Sequence, residues 1–417
     1  MTKLWFCALS LIACGKTGGE APPGAEQSRP AIRASAPAVP AVHPAQPAGE
    51  PTIVNVVDVS DIKTPLKRSA IETLVLGIGA CPLEGYQIVP TCPGMEAFAA
   101  GMKGKSATLD ARAGGKLLQH TSPAIRVKAA ELMADTIESR DAIAGAMAVE
   151  RDLGVLQAFI RAVADDGARV PKVGSMLLVM AGHADPAIRL QVISAITLPA
   201  NRAMAGGPEK LVAMAEQDAD PKVRQVACEK GGKLGSEVFL PLYEKATASA
   251  ADHEMYAACM AGLVAMFHNH PGFDTSSEAA YRLFLRRLDT QPRTEHSPPW
   301  NVMSTFCYFS HESDLDKLAA WKQQATYFKP DDVKRVIAGV IRDKSASWMA
   351  RSAAIESMVG LGASKTELVA LKSGFDAADR RDRAVVEKLS SVLGDRTASL
   401  RAEPAPQVQP VSSPVPR

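Results

Sequence analysis

Three short stretches of the chain repeat one another: Ser122-Pro123-Ala124-Ile125-Arg126, Asp185-Pro186-Ala187-Ile188-Arg189 and Asp220-Pro221-Lys222-Val223-Arg224. Their order is the start signal of a helix. A Ser or Asp side chain at the N-cap accepts a hydrogen bond from an orphan N–H, and the proline that follows has no N–H to lose and a preset φ. Apolar residues then recur at helical spacing, as in Ile125, Ala129, Leu132, Met133 and again Ile188, Val192, Ala195, Ile196. Ser347 to Arg351 and Asp379 to Arg383 keep the offset from cap to arginine without the proline. Leu234-Gly235, Leu361-Gly362 and Leu393-Gly394 follow three of the arginines at a fixed distance, and glycine there suits a left-handed C-terminal cap.

The arginines at 126, 189, 224, 351 and 383 are separated by 63, 35, 127 and 32 residues, near whole multiples of a period of ~32. This pattern, Asp-x-x-Val-Arg-x-x-Ala with a later Leu-Gly, resembles the second helix of a HEAT repeat, most closely at Asp220 to Gly235 and Ser347 to Gly362. The resemblance implies an all-α fold, a right-handed α-solenoid of armadillo-like helix pairs over residues 120–395. It also implies that Arg126, Arg189, Arg224, Arg351 and Arg383, with caps such as Asp185, Asp220 and Asp379, form a structural ladder and no ligand-binding row. Between 252 and 343 the spacing predicts helices near 253–268, 277–290, 297–310, 314–327 and 331–343 without the arginine. Three long repeats or four regular ones fit there.

The ends of the chain have another character. Met1 to Lys3 is a short positive start, Leu4 to Ala13 an apolar run too short to span a bilayer, and Cys14 follows at once. Leu11-Ile12-Ala13-Cys14 resembles the lipobox of bacterial lipoproteins, which implies a signal peptide over 1–13 and diacylglycerol attachment, with palmitate, to the Cys14 sulfur. Gly15 after that cysteine favours the outer over the inner membrane. Residues 14–50 read as a tether: nine alanines and seven prolines between Ala21 and Ala48 leave too little apolar surface to offset ordering entropy. Residues 396–417, with five more prolines, read as a disordered tail. Residues 51–119 are less regular, with helices near 64–76, 94–102 and 106–119 and a possible strand at Ile53 to Val56, and read as a cap over the first repeat.

Little in the sequence points to chemistry. Five of the seven cysteines remain once Cys7 leaves with the signal and Cys14 is acylated. Cys81 and Cys92 share one irregular loop and are expected to form a disulfide. Cys228, Cys259 and Cys307 are expected to be buried thiols, because neighbouring helix axes ~8 to 10 Å apart lie at the edge of what a disulfide spans. His253, His268 and His270 are the only histidine cluster, and they read as loop residues satisfied by water more readily than as zinc ligands. Gly104-Lys105-Ser106 lacks the earlier glycine of a phosphate loop, since Ala99 stands there, and no Gly-x-Ser-x-Gly elbow appears. No cofactor and no catalytic residue is therefore assigned.

Charge excludes one further class. Lys and Arg total 47 against 45 Asp and Glu, so the basic excess of a nucleic-acid binder is missing. The expectation is a membrane-anchored, non-catalytic lipoprotein of the bacterial cell envelope, facing the periplasm or the surface. Its concave repeat-lined surface would bind a protein as scaffold or assembly factor. The alternative is a metal-dependent envelope enzyme on the same helical superhelix, with the three histidines as ligands.

Overall fold

The structure is a computed structural model that describes residues 64–249, 251–269, 273–290 and 315–394. The lipobox with Cys14, the tether, Ile53 to Val56, His270, the helix expected near 297–310, Cys307 and the tail lie outside them. The chain divides into two compact units. In the described part of the first, Thr64–Pro65 and Lys105–Ser106 pair as parallel strands, Thr64 opposite Lys105.

The second unit is almost wholly helical. Its first part holds Arg68–Leu76 (α1), Pro93–Met102 (α2), Ala111–Leu117 (α3), Pro123–Leu132 (α4), Ile137–Met147 (α5), Leu153–Ala162 (α6), Pro171–Met180 (α7), Pro186–Ile196 (α8), Gly207–Gln217 (α9), Pro221–Gly231 (α10), Leu240–Ala246 (α11) and His253–Phe267 (α12). Glu278–Thr290 (α13), Leu315–Gln324 (α14), Pro330–Arg342 (α15), Trp348–Gly360 (α16), Lys365–Lys372 (α17) and Arg380–Leu393 (α18) follow. Among the described residues one hairpin forms, which pairs Leu83–Glu84 with Gln87–Ile88. The helices expected from 64 and from 106 start later, at Arg68 and Ala111. At the second of these the Asp110 carboxylate accepts the Ala113 N–H at 2.8 Å and so fixes the first turn.

Helices two apart in sequence stack on each other. α4, α6, α8, α10 and α12 form one row of neighbours, α3, α5 and α7 form another, and α3/α4, α5/α6, α7/α8, α9/α10 and α11/α12 pack as pairs. Ile125, Phe159, Val192 and Val223 are fully buried along the seam, each the inward side of an amphipathic helix. The row starts at Ser122, Asp152, Asp185, Asp220 and Asp252, intervals of 30, 33, 35 and 32 residues. The gap of 63 between Arg126 and Arg189 therefore spans two helix pairs. The one between them, capped by Asp152, carries buried Leu156 where the arginine stands elsewhere. Gly235, Gly362 and Gly394 all adopt positive φ, as their place after each Leu requires.

Beyond α12 aromatic packing takes the place of the arginines. Trp321 on α14 is fully buried, and its indole N–H points at the carbonyl oxygens of Phe267 and Thr275, 2.7 Å from each. Its ring meets Phe328 and His268, at 4.9 and 5.2 Å between centroids, and Phe267 meets Tyr281 and Phe284. Regular pairing returns with α15/α16 and α17/α18.

One expectation about the core is corrected. Cys228 on α10 and Cys259 on α12 are not separate thiols but a disulfide, with Cα atoms 5.0 Å apart. Glycine is the reason. A Cβ on Gly232 would stand 1.8 Å from the Gly262 carbonyl oxygen, and one on Gly262 would stand 2.2 Å from that of Cys228. The two backbones thus touch directly, closer than side chains of ordinary size allow.

Candidate functional site

Two of the arginines build a recurring polar arrangement among the described residues. Arg126 grips the Glu150 carboxylate through Nε and Nη2 at 2.8 and 3.0 Å, while Nη1 donates to the carbonyls of His120 and Thr121 at 2.8 and 3.0 Å. Arg189 repeats this with Asp218, at 2.8 and 2.7 Å, and with the carbonyls of His183 and Ala184, at 2.8 and 2.9 Å. Each acceptor carboxylate lies just before the next helix of the row, so each pair is a rung between successive repeats. The rung side chains are 7 to 14% exposed, which shields them from the solvent that weakens surface ion pairs.

A second regularity sets the loops. The residue two before each cap accepts that cap's backbone N–H: His120 from Ser122, Glu150 from Asp152, His183 from Asp185 and Asp218 from Asp220, at 2.8 to 3.0 Å. Burial works to raise the Asp218 carboxyl, but the bonds from Arg189 and from the Asp220 N–H hold it below the ordinary carboxylate range. The hydrogen bond to Asp218 in turn raises Arg189.

Not every sequence-assigned residue makes the full rung. Arg224 donates only to the carbonyls of Asp218 and Ala219, and Arg383 reaches the Ala377 carbonyl at 3.5 Å. Arg351 makes a one-pronged rung, donating through Nη2 to Asp382 on α18 at 3.2 Å, and gives its other bonds to the Ile341 and Arg381 carbonyls. Lys344 reaches the same Asp382 at 3.0 Å. Asp185, Asp220 and Asp379 cap their helices by accepting from the N–H of Ala187, Lys222 and Arg381. Ser122, expected to do likewise, instead donates its hydroxyl to the Gly79 carbonyl at 2.7 Å, because α1 packs against α4.

An open cleft of about 620 Å³ lies beside the first rung, lined by Arg126, Glu150, His120, Asp141, Val149 and Lys172 among others. Two of its charged side chains are paired with each other. Arg126 and Glu150 satisfy each other, and Glu150 also accepts the N–H groups of Arg151 and Asp152. Ser194 and Lys230, 2.9 Å apart between α8 and α10, have the composition of a nucleophile and base. Their hydrogen bonds run the other way: the ammonium donates to the hydroxyl, and the hydroxyl donates to the Leu190 carbonyl. Burial lowers Lys230.

His253 and His268 do not converge. His253 opens α12 and His268 closes it, so the 15-residue helix holds them roughly 22 Å apart at 1.5 Å per residue. His268 is no solvated loop residue, since its ring is 1% exposed and lies edge-on to Phe273 and Trp321. Among the described residues no group of three His, Cys, Asp or Glu side chains is placed to hold a metal ion, and no helix is long and apolar enough to cross a membrane.

Cys81 and Cys92 are joined by a disulfide around the hairpin. The hairpin turn lies on α6: a Cβ on Gly154 would meet the Gly85 carbonyl oxygen at 2.1 Å, and the Arg161 guanidinium stands 4.5 Å from the Tyr86 ring centre. No family model and no curated protein matches this chain.

Proposed function

We propose that the chain is a HEAT-like α-solenoid lipoprotein, anchored through Cys14 to a bacterial membrane, and that it binds a protein partner along the row of second helices as an envelope scaffold or assembly factor. The observation that carries the architectural part is the row α4, α6, α8, α10 and α12, with starts every 30 to 35 residues and arginine rungs from one repeat to the next. Stacked repeats of this kind leave one long helical face without an internal partner, which suits extended protein ligands. Fold alone assigns no partner.

Two disulfides within one chain support an oxidising compartment, and hence export. Anchoring is tested with radiolabelled palmitate: label on the wild type and none on Cys14→Ser is the expected result, and label retained by the variant would refute it. Partner binding is tested by cross-linking in the native cell and purification through this chain. A discrete second protein at constant ratio is expected; recovery of the chain alone would count against a scaffold.

A further inference from the structure

The two disulfides differ in a way that bears on regulation. Cys228 and Cys259 are both fully buried in the α10–α12 contact. Cys92 is half-buried at the surface, while its partner Cys81 is 9% exposed. Cys92 is also the N-cap of the ten-residue helix α2, where its Sγ accepts the Met95 N–H at 3.3 Å. A helix N-terminus stabilises a thiolate, so reduction here yields a better-held product than in an apolar interior.

The same disulfide closes the base of the hairpin, whose Val89 N–H bonds the Pro82 carbonyl at 3.0 Å. The hairpin's second strand packs on α4, but its hold on α6 is confined to the turn. It consists of the Gly85 carbonyl against Gly154, the Tyr86 ring beside Arg161, and a 3.3 Å hydrogen bond from Arg161 to the Tyr86 hydroxyl. Ile88 is the one buried side chain of the two strands. A two-stranded hairpin this short is not stable without its closure.

We propose that Cys81–Cys92 is a redox-controlled clasp: a dithiol reductant opens it selectively, which frees the hairpin and bares the Gly154-to-Arg161 side of α6. The exchange balances. One thiolate of the dithiol attacks the sulfur of the half-buried Cys92, a mixed disulfide forms, and Cys81 leaves and takes up a proton. The second thiol of the reductant then closes on its own sulfur and expels Cys92 as a thiolate held by the Met95 N–H. Two protein thiols and one oxidised dithiol result, and the Cys228–Cys259 disulfide is untouched.

The test uses the full chain. Free thiols are blocked with a light maleimide, dithiothreitol is titrated in, and new thiols are trapped with a heavy maleimide and located by peptide mapping. Cys81 and Cys92 should open at dithiothreitol concentrations at least about tenfold below those needed for Cys228 and Cys259. Over that range the amides of 83–89 should exchange with deuterium at least about tenfold faster while far-UV circular dichroism stays constant. The double variant Cys81→Ser, Cys92→Ser should show the fast exchange with no reductant. Simultaneous opening of both disulfides, or a hairpin that stays protected in the reduced protein or in the double variant, would overturn the proposal.

Discussion

Arg189 holds Asp218 through two nearly equal bonds, Nε–Oδ2 at 2.8 Å and Nη2–Oδ1 at 2.7 Å, across the boundary between two repeats. The backbone carbonyl of that same Asp218 accepts Arg224 at 2.8 Å, so one residue receives the arginine of the repeat before it and that of its own. Removing one partner of such a shielded pair strands the other charge. Arg189→Ala should lower stability by about 3 to 5 kcal/mol, whereas Arg224→Ala, which frees carbonyls but no carboxylate, should cost about 1 kcal/mol. Arg189→Lys should not rescue, because an ammonium cannot make the two-pronged contact. Denaturant unfolding of the three variants measures the difference, and equal losses at 189 and 224 would deny the rung its role.

Acid should loosen the stack. Asp218 and Asp382 sit below the usual carboxylate range. Burial opposes this in both, while bonds from Arg189 hold down the first and bonds from Lys344 and Arg351 the second. Glu367 is drawn down to about 2, chiefly by its bond from Lys334. Since these folded-state values lie below the unfolded ones of ~3.9 to 4.3, their stabilisation is complete above that range and is lost as pH falls toward ~2. Melting midpoints should therefore decline from about pH 5 downward, and Asp218→Asn should start lower and decline less steeply. An Asp218→Asn midpoint that tracks the wild type in slope would count against this cause.

Gly262 should tolerate no side chain. A Cβ there would stand 2.2 Å from the Cys228 carbonyl oxygen and 2.5 Å from the Tyr243 hydroxyl. Gly262→Ala should cost at least about 3 kcal/mol, beyond ordinary overpacking, because backbone must move. Gly115→Ala on α3, where nothing lies within 4 Å, should instead stabilise by roughly 0.5 to 1 kcal/mol through helix propensity. Thermal melts of the pair should shift in opposite directions.

What could be read from the chain beforehand follows the range of each interaction. Caps are local, so Asp185, Asp220 and Asp379 were legible in their own pentapeptides, as were the left-handed glycines after Leu234, Leu361 and Leu393. The rung acceptors were not: Glu150, Asp218 and Asp382 lie 24, 29 and 31 residues beyond their arginines, and many carboxylates occupy such distances. The repeat at Asp152 was hidden because Leu156 replaces the arginine. A weaker signal was present, a polar acceptor two residues before the cap, shared by His120, Glu150, His183 and Asp218. The Cys228–Cys259 disulfide depended on Gly232 meeting Gly262, a coincidence of two helices 30 residues apart that no single-helix pattern records.

The central claim is that the row of second helices is the binding face, and site-specific photo-cross-linking in the native cell tests it most directly. A photoreactive residue would replace, one at a time, the exposed Glu131 on α4 and Glu229 on α10, and as comparison the exposed Val179 on α7 and Glu209 on α9. The expected result is one discrete cross-linked protein, of the same mass from positions 131 and 229 and missing from 179 and 209. Cross-links confined to 179 and 209, or none at any of the four, would contradict it.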